Sequence, residues 1–407
     1  MEAQAKMGNA LLTPLVERLL SRIGLWKPHV KPLGPRDELW LFTNTAFRNP
    51  LNQSQWLAEF VACFFKQDSG DRASRTIADL VEKLGIVKGD VSELIVASRV
   101  DLFLSVTQPA RTVELAIQHG AGGKILLGPA GSNGISSNIL RFPHSYYTDT
   151  QLVPSSAKLP PGYGQDGDLT GFETMTTVFA DPEGWGVISD IDDTIKITHV
   201  LSHLAVLKYT FALPPAPVPG MPEFYSNVLH PTLNNPVWFY LSASPYNLYP
   251  FIAGFLDDYR FPKGTTILRD LSWQDLQEFI YISLTVDTAK YKLDRLHKIH
   301  EWFPKRKMVL IGDSTQSDPE VYGAVARKWE HWVGAVYIRL VKGVDEEREK
   351  KLNCRERFEK AFEGVNRKLW VTFDDVEELI RPLTVMARAD PSGTSTGISS
   401  RCSQEDG

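Results

Sequence analysis

Apolar residues form two different patterns along this chain of 407 residues. Between residues 39 and 150, short apolar or alternating runs such as LWLFTNTAF, LAEFVACFFK and VDLFLSVTQ are broken by Gly, Asn and Pro, and RTIADLVEKLG has helical spacing. This pattern predicts a β-rich module with one helix. From about Thr174 to Leu383, the apolar runs WGVISD, VWFYLSAS, KMVLIGDS and GAVYIRLV alternate with helical patterns. The predicted fold class is therefore α/β, a parallel sheet with helices on both faces, preceded by a smaller β-rich module.

These patterns divide the chain into four parts. Residues 1–38 are predicted to form an amphipathic helix and a linker; the helix lies on a membrane surface or, as is commoner, docks on its own domain. The β-rich module is predicted over 39–172 and ends in the Pro/Gly-rich stretch PSSAKLPPGYGQDGDLTG. The α/β domain is predicted over 173–388, and the small, polar tail 389–407 is predicted to be disordered.

Composition narrows the classes of protein to consider. The formal net charge of -5 gives no basic footprint for nucleic acid, so no nucleic-acid partner is expected. Cys63, Cys354 and Cys402 are widely spaced and form neither a zinc motif nor a disulfide framework, which favours a reducing, cytoplasmic location. No apolar run approaches the roughly 18 residues of a membrane-spanning helix, and no secretory signal is predicted.

The candidate chemistry lies where predicted strands end. WGVISD opens into Asp190, Asp192, Asp193 and Thr194, an acidic cluster that is either a solvated turn or a cation site, because crowded like charges repel. Ligands of open parallel sheets bind beyond the carboxyl ends of the strands. Two further strands end there in polar residues, and a helix predicted to begin near Asp287 carries two lysines in its first turns; these residues are Ser242, Ser244, Asp313, Asp318, Lys290 and Lys292.

These residue types together predict phosphoryl transfer. Asp190, at the last rigid position of its strand, is the natural nucleophile for an aspartyl-phosphate, and Asp192 is placed to protonate the leaving alkoxide and then activate water. A carboxylate repels phosphate, so a hard dication bound by oxygen, best matched by Mg²⁺, is needed between them. Its predicted ligands are Asp190, Asp192, Asp313 and Asp318, while Thr194, Ser242 and Lys292 complete the predicted catalytic set.

The ordered set resembles a known superfamily. DIDDT, YLSAS, AKYKL and GDSTQSD are similar to the four motifs of haloacid-dehalogenase (HAD) phosphatases, namely DxDx[TV], a strand-end Ser/Thr, a Lys and GDxxxxD. The longer stretches VISDIDDTIKIT, WFYLSASP and VLIGDSTQSDPEVY resemble the fungal actin-patch-associated phosphatidate phosphatases, whose catalytic domain is similar to that of the lipins. LWLFTNTAFRNP and WLAEFVACFFK resemble their amino-terminal module, so the resemblance covers roughly Leu39 to Leu383.

That resemblance implies a function, a location and partners. It implies a HAD-like, Mg²⁺-dependent phosphatase that associates peripherally with membranes and converts phosphatidate to diacylglycerol. It also implies a place at actin cortical patches, with actin-patch or endocytic proteins, including SH3 domains, as partners. The segment LPPAPVP at 213–219 is interpreted either as an SH3 ligand or, preferably, as an ordered loop of the fold.

Several choices stay open at this level. Lys292 is preferred to Lys290 because an apolar residue follows it four positions later, and Ser242 is preferred to Ser244 because it is nearer the strand end. The insert 195–236 either forms an apolar rim for a lipid substrate or covers the sheet, and its candidate rim residues share one helical face: Leu204, Leu207 and Phe211. The alternative functions are a HAD-type phosphatase for a phosphoprotein or soluble phosphomonoester, and a membrane-trafficking adaptor.

Overall fold

The computed structural model describes residues 30–66, 71–87, 91–118, 123–142, 146–164, 171–269 and 288–389. The helix predicted around residues 12–23 and the tail from residue 390 onward lie outside these ranges.

The amino-terminal part of the described chain is a ten-stranded sheet. Its order is β1-β6-β9-β10-β3-β4-β2, with β5 and β8 paired to β4 and β7 paired to β6. The strands are β1 (Lys31–Pro32), β2 (Glu38–Leu41), β3 (Asn44–Asn49), β4 (Asn52–Lys66), β5 (Val106–Thr107), β6 (Arg111–Ile117), β7 (Lys124–Leu127), β8 (Ile135–Arg141), β9 (Leu152–Ala157) and β10 (Thr174–Ala180).

This sheet extends beyond the predicted range 39–172 at both ends. Strand β1 precedes residue 39, and β10 follows residue 172. The position of β10 depends on long-range pairing, since it is parallel to β3 and antiparallel to β9 and so joins the two halves of the sheet. Local patterning could not reveal that an apolar strand after the Pro/Gly-rich stretch belongs to the first sheet.

Two helices connect β4 to β5. The first, α1 (Asp71–Lys83), is the helix predicted from RTIADLVEKLG. The second, α2 (Val91–Leu104), replaces most of a predicted strand, since residues 100–104 of VDLFLSVTQ are helical. That prediction was wrong because a short apolar run does not distinguish the two structures, whereas the burial of Val96 and Val100, four residues apart, reflects a helical period.

The second sheet has six strands, and every neighbouring pair is parallel. Their order across the sheet is β13-β12-β11-β14-β15-β16. In chain order, the strands are β11 (Trp185–Asp190), β12 (Val237–Pro245), β13 (Thr265–Arg269), β14 (Lys307–Asp313), β15 (Val333–Arg339) and β16 (Trp370–Phe373). Neighbouring residues of one strand, such as Val309 and Leu310, enter different hydrophobic clusters on the two faces. Burial on both faces is typical of parallel sheets and confirms the predicted fold class.

Helices cover both faces of this second sheet. They are α3 (His203–Leu207), α4 (Met221–Glu223), α5 (His230–Thr232), α6 (Tyr249–Asp258), α7 (Thr288–Trp302), α8 (Asp318–Lys328), α9 (Glu346–Leu352), α10 (Arg355–Ala361) and α11 (Ile380–Ala389). Two π-helical turns, Lys208–Ala212 and Phe224–Leu229, and three 3-10 turns, Tyr246–Leu248, Arg367–Leu369 and Val376–Leu379, complete the helical structure. Among the residues described, no helix combines the length and the hydropathy needed to cross a membrane.

The two sheets are packed together through aromatic contacts. The ring of Phe42 stacks on that of Tyr249 with centroids 3.6 Å apart, and the hydroxyl of Tyr249 accepts a hydrogen bond from the backbone of Thr43 at 3.1 Å. At another point of the interface, Phe47 stacks on Trp302. Because residues 181–184 alone separate β10 from β11, the first sheet leads almost directly into the strand that ends at Asp190.

Candidate active site

The sheet topology brings the predicted motifs to one edge. Strand β11 ends at Asp190 and lies between β12, which ends in the Ser242 region, and β14, which ends at Asp313. Helix α7 (Thr288–Trp302) carries Lys292 to the same edge, and the predicted helix start near Asp287 lies outside the described residues. The chain continues from β11 to β12 on one side and returns to β14 on the other, and such a switch point is where open parallel sheets bind ligands.

Three carboxylates form a buried cluster at this edge. Asp190, Asp313 and Asp318 each offer an oxygen, and these oxygens lie within 4.8 Å of one another. The ammonium group of Lys292 donates a hydrogen bond to Oδ1 of Asp190 at 2.8 Å and another to Oδ1 of Asp318. Three carboxylates facing one ammonium leave an excess of negative charge among side chains that are almost fully buried.

The pKa values of Asp190, Asp313 and Lys292 are all raised in this cluster. Burial raises the pKa of Asp190 well above its ordinary value, although Lys292 acts in the opposite direction, and burial together with the charge of Asp318 raises the pKa of Asp313 to about 7. Burial by itself lowers the pKa of Lys292, but attraction to Asp190 and Asp318 raises it overall. Both carboxyl groups therefore resist ionisation unless a further positive charge is present.

The donor set fits a hard metal ion. Oδ1 of Asp313 accepts hydrogen bonds from the backbone and side chain of Thr315, whereas its buried Oδ2 has no hydrogen-bond partner in the described part of the chain. A buried, unpaired carboxylate oxygen is costly and is a natural ligand for a cation. Carboxylate oxygens are the ligands that Mg²⁺ prefers in proteins.

The side chain of Asp192 lies outside the cluster of Asp190, Asp313 and Asp318, so the structure brings together three of the four predicted metal ligands. Its Oδ1 pairs with Lys196 at 3.0 Å and accepts from Thr198 at 2.8 Å, and its Oδ2 accepts from Ser242 at 2.9 Å and Ser244 at 3.1 Å. Burial raises the pKa of Asp192, but Lys196 and these hydroxyl groups lower it further, to about 2. The side chain follows its cation and hydroxyl partners toward β12, whereas Asp190 faces α7.

The other predicted site residues lie close to these two aspartates. The hydroxyl of Thr194 donates to Oδ2 of Asp190 at 2.9 Å, so both oxygens of that carboxylate are held. Lys292 is buried in contact with Asp190, whereas Lys290 is exposed, in agreement with the preference for Lys292. A carboxylate at a strand end is expected to face solvent, but only 4% of Asp190 is exposed.

Four residues that shape the site had no predicted role. Lys196 and Thr198 hold Asp192, and the signal for them is their position directly after DIDDT. The carboxylate of Asp193 accepts hydrogen bonds from the backbone of residues 198–200 at 2.7 to 2.8 Å and so folds the loop that follows. Arg339 donates to the carbonyl oxygen of Asp193 at 2.7 Å.

A cavity of about 230 Å³ opens at Asp190. Asp192, Ser242 and Ser244 share its polar end, and Lys196, Arg269 and Arg348 place cations along it. Its apolar wall is formed by Val200, Leu201, Val206, Leu248, Phe251 and Ile252. The insert 195–236 therefore contributes an apolar wall beside the acidic strand end.

The insert residues chosen from the sequence are not the ones that line this cavity. Leu207 and Phe211 are buried in the core at 1% and 0% exposure, whereas Leu204 is 54% exposed. The helical face predicted for all three is broken because α3 ends at Leu207 and continues as a π-helical turn, which changes the angle between successive side chains.

The proline-rich segment 213–219 is held within the fold. The carbonyl of Ala216 accepts from the backbone of Ile197 at 2.9 Å, and the backbone of Val218 donates to Ile195 at 2.8 Å. These bonds agree with the interpretation of this segment as an ordered loop, and its use as an SH3 ligand stays a prediction.

Comparisons with known proteins agree with the predicted resemblance. Residues 185–340 match the family model described as phosphatidate phosphatase APP1, catalytic domain. Phosphatidate phosphatase APP1 of Saccharomyces cerevisiae is 30% identical over 195 residues, which are 47% of this chain and 32% of that protein. An uncharacterized protein of Schizosaccharomyces pombe is 27% identical over 200 residues, 48% of this chain and 31% of the relative. The aligned region thus spans about a third of the length of these relatives, and the match of residues 185–340 agrees with the resemblance predicted from the sequence.

Proposed function

We propose, from the premise that residues 185–340 are a catalytic domain of the phosphatidate phosphatase APP1 family, that this chain hydrolyses phosphatidate to diacylglycerol and phosphate with the help of Mg²⁺. One observation carries the proposal most directly. Asp190 belongs both to the buried carboxylate cluster and to the lining of a cavity with an apolar wall, so the same side chain meets a metal site and a substrate site.

The metal would be held by Asp190, Asp313 and Asp318. All three offer carboxylate oxygens, and Oδ2 of Asp313 has no other hydrogen-bond partner among the described residues. When bound, the ion would offset the repulsion between these carboxylates and a phosphate and would stabilise charge on the phosphoryl oxygens. Asp192 is omitted from this set because its side chain lies outside the carboxylate cluster, where it contacts Lys196 and three hydroxyl groups.

Asp190 is the proposed nucleophile. Lys292 and Thr194 each hold one of its oxygens, which fixes the plane of the carboxylate before the substrate arrives. One carboxylate oxygen forms a bond to phosphorus, and the phosphorus–oxygen bond to the glycerol breaks, leaving an aspartyl-phosphate and an alkoxide. Water then attacks the phosphorus of that intermediate, releasing phosphate and restoring the Asp190 carboxylate.

Asp192 is the proposed acid and base. Its carboxylate is ionised in the free protein, because its neighbours lower its pKa to about 2. A phosphate that binds in the same cavity brings a like charge close to Asp192 and raises this pKa, so that the group can take up a proton and pass it to the leaving alkoxide. The ionised Asp192 then accepts a proton from the attacking water.

The apolar wall of the cavity favours a substrate that has an apolar part. The volume of the cavity, about 230 Å³, lies below the roughly 300–1,000 Å³ of ordinary small-molecule pockets, so a diacyl lipid would place only its phosphate end there and leave its acyl chains in the bilayer. We therefore propose peripheral membrane association; the place at actin cortical patches and the endocytic and SH3 partners are proposed from the family resemblance.

Phosphate release from a panel of substrates tests the assignment. The panel contains phosphatidate in mixed micelles, lysophosphatidate, phosphopeptides, sugar phosphates and p-nitrophenyl phosphate, each with Mg²⁺ or EDTA. We expect the highest kcat/KM for phosphatidate, no turnover in EDTA and none in the variant Asp190→Asn. Faster turnover of a soluble phosphomonoester or phosphopeptide would replace the lipid assignment, and full activity in EDTA would contradict the metal assignment.

Vesicle sedimentation tests the adaptor alternative separately. If Asp190→Asn binds phosphatidate-containing vesicles as well as the unaltered chain does, membrane binding is independent of turnover, and an additional adaptor role gains support.

A further inference from the structure

A buried arginine of the first module contacts the outside of the substrate cavity. Arg99, on α2, is 8% exposed, and its Nη1 donates a hydrogen bond to the carbonyl oxygen of Thr210 at 2.7 Å. Its guanidinium carbon lies 4.2 Å from the ring centroid of Phe251. Thr210 and Phe251 both line the cavity at Asp190.

Arg99 is buried without a carboxylate partner in the ranges that the structure describes. Burial lowers the pKa of Arg99 to about 10, which reflects the cost of removing its charge from water. The carbonyl of Thr210 and the ring of Phe251 are therefore the groups that offset this cost. Both interactions depend on direction and distance, so they constrain the two segments that they join.

The sequence explains why Thr210 needs a donor from elsewhere. Thr210 lies in the π-helical turn Lys208–Ala212, and the donors four and five residues ahead of its carbonyl would be Pro214 and Pro215. Proline has no backbone N–H, so this carbonyl has no donor at either position. Arg99 supplies the missing donor and also places a cation at the negative end of this helical segment.

A second hydrogen bond ties α2 to the other wall segment. The side-chain amide of Asn247 donates to the carbonyl oxygen of Leu102 at 3.1 Å, just before α6, which carries Phe251. The ammonium group of Lys196, which pairs with Asp192, lies 5.6 Å from the centroid of the same Phe251 ring. Helix α2 thus forms an outer layer around the apolar wall, and that wall in turn contacts the partner of Asp192.

We propose that Arg99 is a positioning residue through which the first module fixes the Thr210 and Phe251 side of the cavity and so determines its preference for a lipid phosphomonoester. This inference rests on the proposed function for the identity of the substrate. The reacting groups Asp190, Lys292, Asp313 and Asp318 are held by the sheet and by one another, without a contact to Arg99.

Substitution of Arg99 tests the proposal against a matched control. Arg99→Met keeps much of the side-chain length but removes the charge and the donor, and Arg99→Lys keeps the charge. The control Glu59→Gln weakens another contact between the modules, that of Glu59 with Lys298, away from the cavity. We expect Arg99→Met to lower the ratio of kcat/KM for phosphatidate to that for p-nitrophenyl phosphate about tenfold, mainly through KM. Arg99→Lys should restore part of this ratio, and Glu59→Gln should leave it unchanged.

Amide hydrogen exchange of the full-length chain supplies a readout that does not depend on activity. Exchange in residues 203–213 and 246–252 should be faster in Arg99→Met than in the unaltered chain and the same in Glu59→Gln. If Arg99→Met does not fold, the same measurements on Arg99→Lys decide the question. An unchanged substrate ratio or unchanged exchange in these two segments would overturn the proposal. If phosphatidate is not a substrate, the proposed function fails, and the exchange comparison still decides the positioning role.

Discussion

Asp192 shows how one side chain can couple catalysis to the stability of the fold. Its carboxylate is the counter-ion of Lys196, whose residue is 2% exposed, and two serines and a threonine complete its surroundings. From the sequence alone, neutralising Asp192 should relieve repulsion between carboxylates without destabilising the fold. The structure reverses that expectation, because neutralisation leaves a buried ammonium group without its counter-charge.

We therefore predict that Asp192→Asn is both inactive and less stable. Turnover should fall on the order of a hundredfold or more, because an amide cannot carry the proton. The free energy of unfolding should fall on the order of 3 kcal/mol, because breaking a buried pair leaves an uncompensated charge. Urea unfolding checks the second effect. The double variant Asp192→Asn with Lys196→Met should regain part of the lost stability, and a double variant less stable than either single one would contradict this explanation.

Gly312 shows a second constraint at the scale of single residues. A Cβ atom at this position would lie 2.4 Å from Oδ2 of Asp318 and 2.8 Å from its Cβ, so the approach of Asp318 to β14 requires glycine. The same Oδ2 accepts a hydrogen bond from the backbone of Asp313 at 3.2 Å. The glycine of GDSTQSD thus lets the two aspartates of that motif come together.

Gly312→Ala should displace Asp318 and weaken the proposed metal site. We expect the Mg²⁺ concentration for half-maximal activity to rise by about 10- to 100-fold, the range seen when groups that orient metal ligands are altered. Gly254→Ala, on α6 where a Cβ atom meets nothing within 4 Å, is the matched control and should change nothing. An unaltered Mg²⁺ dependence in Gly312→Ala would show that Asp318 is not needed for the ion.

At the scale of elements, the segment from α3 into the π-helical turn separates the lining of the cavity from the core. Val206 lines the cavity, Leu207 is in the core, and Leu204 is exposed. Substituting Leu204, Leu207 and Phe211 together therefore cannot test lipid binding by itself, because Leu207 and Phe211 are part of the core.

Leu204 and Leu207 give a matched pair of variants. Leu204→Ser should leave the melting temperature unchanged and lower turnover of phosphatidate in micelles severalfold more than that of p-nitrophenyl phosphate, if this exposed residue contacts the lipid interface. Leu207→Ser should cost roughly 2–5 kcal/mol of stability, because it removes a buried side chain and adds a hydroxyl in the core. Equal effects of Leu204→Ser on both substrates would remove this residue from the lipid-binding surface.

The sequence could predict most elements that depend on local pattern. Four strands of the second sheet (β11, β12, β14 and β15), the helix that carries Lys292 and the meeting of Asp190 with Asp313 follow from periodicity and from the rule that parallel strands end at one edge. Strands β13 and β16 were not predicted. Helix α2 was not predicted because its short apolar run fits the period of a strand as well as that of a helix. The partners of Asp192 and the role of Arg99 could not be predicted, because they depend on segments far apart in the chain that meet only in the folded protein.

At the scale of the whole molecule, the carboxylate cluster links global stability to pH and to metal. The raised pKa values of Asp190 and Asp313 mean that the folded protein holds protons which the unfolded chain has already lost. Without metal, the contribution of these two groups to stability should therefore be fully present below their ordinary pKa of about 4 and be lost as the pH rises through 7.

Mg²⁺ should reverse this trend, because it binds the ionised carboxylates. We predict that saturating Mg²⁺ raises the melting temperature more at pH 7.5 than at pH 5, a comparison that calorimetry can make without substrate. Asp313→Asn, which removes one proposed ligand, should lose most of the Mg²⁺-dependent stabilisation. An equal shift at both pH values, or a full shift in Asp313→Asn, would contradict the ligand assignment.

The position of β10 also bears on how the chain can fold during its synthesis. The ribosome releases β3 early and β9 shortly before β10, yet β10 lies between them in the first sheet. Until residue 180 has emerged, the two halves of that sheet each keep an open edge, which makes them prone to pair with other chains. The strand that closes this gap is followed four residues later by the strand that ends in Asp190. Completion of the first module and the start of the catalytic sheet are therefore nearly simultaneous on the ribosome, and a pause before residue 174 should favour aggregation of the nascent chain.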